Sequence, residues 1–110
     1  MNESEMSMRL GLPGMISIAE TIALERELRI AEHTGTKYHS MCISTEKSLN
    51  AIIHYKNITD SITSGISINN LILNENDIGA YRTFFKLRPP LRSEEDRFFL
   101  IDNLQSNNID

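Results

Sequence analysis

Apolar residues recur at helical spacing in three parts of the chain, and each part begins at a residue suited to cap a helix. Ser17 and Glu20 have the spacing of a capping box, and Gly35 is placed to end this first helix as a left-handed cap. Thr45 caps the second helix, and Ser93, followed by acidic residues, caps the third. The predicted apolar sides are Ile18, Ala19, Ile22, Ala23 and Ile30, then Leu49, Ile52 and Ile53, then Phe98, Ile101 and Leu104.

Three stretches rich in strand-forming residues lie between or beside these helices, at positions 37–44, 60–73 and 83–87. Strands separated by helical segments indicate right-handed crossover connections and a parallel sheet. The pattern therefore predicts an α/β fold with about three parallel strands and flanking helices. A parallel sheet this small leaves two edges and part of one face uncovered.

Two segments depart from this regular pattern. The second predicted strand contains the run ISINNLIL, in which Asn69 and Asn70 place two carboxamides among residues that favour burial. The N-terminal segment 1–9 is polar and acidic and is predicted to be disordered, and the Gly-Leu-Pro-Gly run at 11–14 is predicted to form a turn.

Composition and charge exclude several classes of protein. The 110 residues are enough for one domain, and the net charge of −4 with no basic run argues against nucleic-acid binding. No apolar run approaches the roughly 18 residues of a membrane span. The acidic N-terminus does not resemble a signal or transit peptide. A single cysteine, Cys42, rules out an internal disulfide framework and indicates a reducing, cytoplasmic location.

The histidines and the cysteine do not predict a metal site by their spacing. His39 and Cys42 lie three positions apart in a predicted strand, so their side chains point to opposite faces of the sheet. His33 falls at a helix end and His54 on the polar side of a helix. Cys42 has no neighbouring base that would activate it as a nucleophile, which favours a packing role for its thiol.

Arg88 and Arg92 flank the sequence Pro-Pro-Leu and are the cations with the clearest binding potential. A guanidinium group can bind a carboxylate or a phosphate through two parallel hydrogen bonds. The alternative is that these arginines are solvated and paired with nearby acids such as Glu94 or Asp96. The residues alone predict no catalytic constellation.

Three segments together resemble the dihydroorotase family of cyclic amidohydrolases. RLGLPGMISIAETIALERELRIAEHTGTKYH is similar to a family stretch that runs from a Gly-Leu-Pro-Gly turn through a helix into a strand. CISTEKSLNAI resembles the family's His-Val-Ser-Thr segment, and FKLRPPLRSEEDR resembles its Lys-x-Asn-Pro-Pro-Leu-Arg-Ser-Glu-Glu-Asp-Arg signature. The resemblance extends over nearly all of positions 9–110.

The resemblance implies that positions 10–110 are a partial barrel of a metal-dependent hydrolase, because the family fold is an eight-stranded parallel β/α barrel with a binuclear zinc site. Cys42 stands where the family has a zinc-binding histidine, and Asn69 and Asn70 stand where it has a histidine pair. An asparagine oxygen is not a competent zinc ligand, and one thiolate does not hold a binuclear centre. The resemblance thus implies that the zinc cofactor has been lost.

Arg88 replaces the asparagine that, in the family, contacts the substrate before Pro-Pro. The family's His-x-His strand would precede this segment and its Asp-His-Ala-Pro-His segment, with the acid/base aspartate, would follow it. Neither is in this sequence. The resulting expectation is an inactive dihydroorotase-like protein, a remnant of a truncated gene with no catalysis of its own.

Two other functions remain open. Some relatives that have lost their metal ligands persist as structural partners of aspartate transcarbamoylase in pyrimidine biosynthesis, and this chain resembles them in lacking ligands. Exposed parallel edges also allow self-association or complementation by separate chains. Binding to the transcarbamoylase would distinguish the first of these from an inactive remnant.

Overall fold

The computed structural model describes residues 1–80 and 82–110. In chain order the helices and strands are α1 (Glu5–Leu10), α2 (Ser17–Thr34), β1 (Tyr38–Ser40), α3 (Glu46–Lys56), β2 (Ile62–Ser64), α4 (Ile68–Ile72) and α5 (Glu94–Leu104), with 3₁₀ turns at Glu75–Ile78 and Thr83–Phe85.

The sheet contains β1 and β2, which pair directly and in parallel, and helix α3 connects them along the chain. His39 lies opposite Thr63, and Ser40 lies opposite Ser64. The α/β fold with parallel strands is therefore confirmed, although the strands found in the described part of the chain are shorter and fewer than the three predicted.

The hydrophobic core lies between α2, α3 and the sheet, and α5 packs against α3 and α4. Its buried members are Leu24, Leu28, Ile43, Leu49, Ile52, Tyr55, Ile62, Leu100 and Ile109. The opposite face of the sheet carries His39 and Thr63, whose side chains hydrogen-bond at 2.7 Å between Nδ1 and Oγ1. One face of the sheet is thus covered by helices, and the other presents polar groups.

None of the three predicted strands is extended along its predicted length, and β1 covers only Tyr38–Ser40 of the segment 37–44. Only Ile62–Ser64 of the segment 60–73 is extended, and Ile68–Ile72 forms helix α4. The Ser67 hydroxyl accepts a hydrogen bond from the Asn69 backbone N–H, which caps the helix start. The segment predicted as a third strand begins with the 3₁₀ turn Thr83–Phe85. Both segments show that a local apolar run does not by itself distinguish a strand from a short helix.

The predicted apolar sides of α2 and α5 are wrong. Ile18, Ile22 and Ile30 of α2 are 44%, 62% and 52% exposed, and the buried side consists of Thr21, Leu24, Leu28 and Ala31. Helix α2 is apolar on two sides, and the chain covers only one of them. In α5, Leu100 is buried, whereas Phe98 and Leu104 are exposed.

Most predicted helix ends are confirmed. Thr45 accepts a hydrogen bond from the Ser48 N–H, Ser93 accepts one from the Asp96 N–H, and Gly35 is left-handed with φ 66°. The predicted capping box of Ser17 and Glu20 is wrong. Ser17 is the first helical residue after the N-cap Ile16, and Glu20 extends to another part of the chain.

The N-terminal segment, predicted to be disordered, forms helix α1. Gly11 ends this helix in the left-handed conformation, with φ 65°. The residues that precede α1 lie beside the end of the Gly-Leu-Pro-Gly turn, where the Met15 N–H donates to the Met1 carbonyl at 2.7 Å. Contacts distant in sequence therefore order a segment whose composition predicted disorder.

The C-terminal residues lie along the free edge of β2. The Asp110 N–H donates to the Ser64 carbonyl at 2.8 Å, and the Asp110 carboxylate accepts from the Ser64 N–H at 2.9 Å. Lys56 donates to the same carboxylate, and Ile109 is buried in the core. These bonds satisfy backbone groups that the edge of a sheet would otherwise expose. Among residues 1–80 and 82–110, no helix has the length and apolar character needed to cross a membrane.

Candidate functional site

The three positions singled out by the family resemblance come from three different elements. Cys42 follows β1, Asn69 lies in α4, and Arg88 lies in the loop before α5. Cys42 has φ 56°, a left-handed conformation that is uncommon for residues other than glycine and is often found at functional sites. The backbone at Cys42 is therefore held in a conformation that its own side chain disfavours.

Two of these positions line the same cavity. Cys42 and Arg88 border a depression whose wall also includes Glu20, Pro90 and Arg92. Asn69 lines neither this depression nor the neighbouring cavity. The structure thus brings Cys42 and Arg88 together and leaves Asn69 apart from them.

The adjacent carboxamides of α4 have separate environments. Asn70 is 3% exposed, and its side-chain Nδ2 donates to the Pro90 carbonyl at 3.0 Å. This bond connects α4 to the Pro-Pro segment, and it supplies a partner for a buried amide whose desolvation would otherwise be unfavourable. Asn69 is only partly buried. The two amides in ISINNLIL therefore belong to a short helix, and Asn70 joins that helix to the Pro-Pro segment.

The side chains at the positions where the family resemblance implies zinc ligands are a thiol and two carboxamides. Within 1–80 and 82–110, no three His, Cys, Asp or Glu side chains come close enough to share a metal ion. Cys42 offers a thiol, but the amide oxygens of Asn69 and Asn70 are poor zinc donors. His39 lies on the exposed face of the sheet, bonded to Thr63.

The central polar feature of the Cys42 depression is Arg92, a cation that the sequence singled out but whose burial it did not predict. Arg92 is 4% exposed, and its guanidinium donates to Ser44 Oγ at 3.0 Å, to Asn2 Oδ1 at 2.9 Å and to the Met15 carbonyl at 2.7 Å. Its remaining nitrogen lies 3.5 Å from a Glu20 carboxylate oxygen. A buried cation is thereby paired and hydrogen-bonded, as burial of a charge requires.

Glu20 completes this arrangement. Its carboxylate accepts from the Ser44 backbone N–H at 2.9 Å and from the Ser44 hydroxyl. Glu20, Ser44 and Arg92 come from the three segments that carry the family resemblance, so these contacts connect α2, the loop after β1 and the Pro-Pro-Leu-Arg segment. We refer to these three residues as the Arg92 cluster.

The expectation that Arg92 is solvated and paired with Glu94 or Asp96 is wrong. Glu94 instead pairs with Arg97, three residues along α5. No local sequence signal identifies the partners of Arg92, because Ser44 and Asn2 lie 48 and 90 positions away in the chain. Their identity depends on the tertiary fold.

The N-terminal segment is attached to the same region by a second set of polar contacts. Asn2 Nδ2 and the Ser4 hydroxyl both donate to one Glu75 carboxylate oxygen, at 2.9 and 2.6 Å. The Glu75 N–H donates to the Arg92 carbonyl at 2.9 Å. Asn2 therefore bridges Arg92 and Glu75, which explains how a polar segment without apolar periodicity is ordered.

Comparisons with known proteins agree with the family resemblance. The chain is 40% identical to the dihydroorotase of Enterococcus faecalis and 36% identical to that of Lactobacillus leichmannii, in each case over all 110 residues. It spans about a quarter of the length of these relatives, covering 26% of each. No family model matches the chain.

Solved structures share the fold at lower sequence identity. A D-hydantoinase (dihydropyrimidinase) from Thermus sp. aligns with a TM-score of 0.76 at 22% identity, covering 82% of this chain and 20% of that one. A dihydropyrimidinase from Brevibacillus agri aligns with a TM-score of 0.79 at 14% identity, covering 84% of this chain and 21% of that one. The chain is therefore similar in sequence to these dihydroorotases over all 110 residues, and most of it shares the fold of the two solved structures.

Proposed function

We propose that this dihydroorotase-like chain does not catalyse the interconversion of dihydroorotate and carbamoyl aspartate. The observation that carries the proposal is the chemical identity of the residues at Cys42 and Asn69. A thiol and a carboxamide there do not supply the imidazole nitrogens that the family resemblance implies as zinc ligands. Water activation by a metal requires such ligands.

The surroundings of these positions support the proposal. The amide of Asn70 is occupied by its bond to the Pro90 carbonyl, so the side chain next to Asn69 has a structural role. Arg88 adds a cation where the family resemblance implies a neutral asparagine. A cation at that position would bind a different arrangement of acceptors than an amide does.

The experiment is a hydrolase assay of the purified chain with dihydroorotate and, separately, carbamoyl aspartate. Each assay is run with added zinc and after chelation, and the Enterococcus faecalis dihydroorotase is the matched positive control. We expect product formation at the rate of the buffer blank in both conditions. Zinc-dependent turnover by this chain would refute the proposal. Far-UV circular dichroism in assay buffer establishes that the chain is folded during the measurement.

The zinc content of the same preparation provides an independent test. We expect less than one equivalent of zinc after dialysis, because one thiol and two amides form a weak donor set. Stoichiometric zinc that resists dialysis would contradict this expectation. The variant Cys42→Ser identifies the thiol as a ligand if it abolishes any zinc that is retained.

A non-catalytic binding role is the second candidate, and the exposed apolar side of α2 favours it. Ile18, Ile22 and Ile30 are each about half exposed, and contiguous exposed apolar surface is a common feature of interaction sites. By the family resemblance, the protein partner would be aspartate transcarbamoylase, and self-association would use the same surface.

Sedimentation with and without aspartate transcarbamoylase tests this second candidate. If α2 carries the interaction, Ile22→Asp reduces the associated fraction, because a charge placed in an apolar interface must be desolvated. Asn50→Asp makes a change of equal charge at an exposed polar position of α3 and is the matched control. A monomer that shows no interaction with the transcarbamoylase would exclude this role.

A further inference from the structure

A second cavity lies beside the Cys42 depression, between the Gly-Leu-Pro-Gly turn and the segment 82–91. Its volume is about 340 Å³, which is within the range of small-molecule sites in proteins. The wall is mainly apolar and includes Leu12, Met15, Ile78, Phe85, Leu87 and Leu91.

Three cations also border this cavity, namely Arg82, Lys86 and Arg88. Within residues 1–80 and 82–110, none of the three side chains makes a hydrogen bond or an ion pair with a protein group, and no carboxylate lines the cavity. Arg82, Lys86 and Arg88 are exposed, whereas the buried Arg92 and the half-buried Lys56 and Arg97 are paired with carboxylates.

The grouping of these cations is not a consequence of overall charge. The chain carries 15 acidic residues against 11 lysines and arginines, a net charge of −4. Arg82, Lys86 and Arg88 are exposed, so solvent screens their mutual repulsion, and a bound anion would offset the repulsion that remains. Apolar walls with a few convergent charged groups are the usual composition of a small-molecule site.

We propose that this cavity binds a small organic monocarboxylate, with its apolar body against Phe85 and Leu91 and its carboxylate among Arg82, Lys86 and Arg88. An arginine side chain binds a carboxylate through two parallel N–H donors, and the ammonium group of a lysine donates additional hydrogen bonds. The site needs no metal and no hydrolysis. It includes Arg88, which stands at the position of a substrate-contacting asparagine in the family resemblance, and binding there is compatible with the proposed loss of dihydroorotase activity.

The test is a calorimetric titration of the full chain with naphthoate and with naphthamide. The two probes have the same apolar body, and only naphthoate carries a charge. We expect saturable naphthoate binding that is stronger than naphthamide binding by about tenfold or more, equivalent to about 1.4 kcal/mol. No saturable naphthoate binding, or equal affinity for the two probes, would overturn the proposal.

Two triple variants with equal changes in charge locate the site. Arg82→Gln, Lys86→Gln and Arg88→Gln together remove the cavity cations, and Arg9→Gln, Arg29→Gln and Lys47→Gln remove three exposed cations elsewhere. We expect the first set to abolish the preference for naphthoate and the second to change it by less than about twofold at physiological salt. Equal losses in both sets would show a nonspecific charge effect and would refute the assignment.

A variant of the apolar wall tests whether the apolar body of the ligand contacts Phe85. Phe85→Ala should weaken naphthoate and naphthamide binding to the same extent, because it removes contact with the shared apolar body. Retention of full affinity for both probes would place the bound molecule elsewhere. Far-UV circular dichroism of each variant confirms that the comparison is made on folded protein.

Discussion

At the scale of single residues, the most consequential group is a cation in the interior. Arg92 is nearly fully buried and contacts Glu20, Ser44, Asn2 and the Met15 carbonyl. A buried ion pair of this kind is not necessarily a large source of net stability, because both charges lose their hydration. Removing one member is nevertheless unfavourable, because the other remains buried without a partner.

We therefore expect Arg92→Met to lower the free energy of unfolding by about 3–5 kcal/mol, since Glu20 would lose its cation. Urea denaturation followed by circular dichroism measures the change. The control is Arg26→Met, because Arg26 pairs with Glu27 on the surface, where such pairs contribute about 0–1 kcal/mol. Equal effects of the two substitutions would show that the Arg92 cluster does not hold the loops together.

A second residue-scale prediction concerns Glu94, whose pKa is lowered from 4.5 to about 2 by its hydrogen bonds with Arg97 and then Asn74. A carboxyl group with a lower pKa in the folded state stabilises the fold above its unfolded pKa. That contribution disappears as the pH falls from about 4.5 to about 2. Glu94→Gln should make the unfolding free energy less dependent on pH in this interval.

Chemical denaturation of the wild type and of Glu94→Gln at several pH values between 2 and 6 would test the Glu94 prediction. This pH range extends from the folded pKa of about 2 to above the unfolded pKa of 4.5. Glu95→Gln removes the neighbouring exposed carboxyl and is the matched control. The prediction fails if Glu94→Gln and Glu95→Gln give the same pH profile. The effect is expected to be small and to weaken with salt, because the pair lies at the surface.

At the scale of elements, local side-chain to backbone bonds decide where helices begin. Thr45 and Ser93 are caps by sequence and by structure. Ser17 is also followed by an acidic residue three positions later, but it lies within the helix. Ile16 occupies the N-cap position, and Glu20 bonds to Ser44. A tertiary contact thus competes with a capping motif and replaces it.

This difference gives a paired prediction for two serines. Ser93→Ala should destabilise the protein by about 1 kcal/mol, because the Asp96 N–H loses its acceptor. Ser17→Ala should change the unfolding free energy by less than about 0.5 kcal/mol, since Ser17 caps nothing. Urea denaturation of both variants provides the measurement. A larger loss at Ser17 than at Ser93 would contradict the assignment of caps.

At the scale of the whole molecule, the two ends of the chain are part of the packed structure. The N-terminal segment is bound through Asn2 and Ser4 to Glu75, and the C-terminal residues follow the edge of β2. Lys56 and the Ser64 N–H also lower the pKa of Asp110, in that order of importance. A sheet of two short strands is thereby extended by polar contacts at its edge.

The side chain that fixes the C-terminal residues in the core is Ile109, which is 6% exposed. Ile109→Ala should lower the unfolding free energy by about 2–5 kcal/mol, because it leaves a cavity among core residues. Ile68→Ala is the matched control, since Ile68 is 62% exposed. Similar effects at both positions would mean that residues 108–110 do not pack against β2 in solution.

The sequence by itself determined the α/β order, the caps at Thr45 and Ser93, the stop at Gly35 and the family resemblance. These features depend on neighbours within a few positions or on contiguous motifs, which a single sequence displays. The identities of Cys42, Asn69 and Arg88 at family positions also follow from the sequence alone. That Cys42 and Arg88 line one depression does not follow from the sequence alone.

Only the tertiary structure decided which side of α2 is buried, because that helix is apolar on two sides and its sequence does not say which one meets α3. It also decided that 68–72 is a helix, since short apolar runs fit either conformation. The burial of Arg92 and the ordering of the N-terminal segment depend on partners up to 90 positions away. Such contacts exist only after the chain has folded, so no local pattern records them.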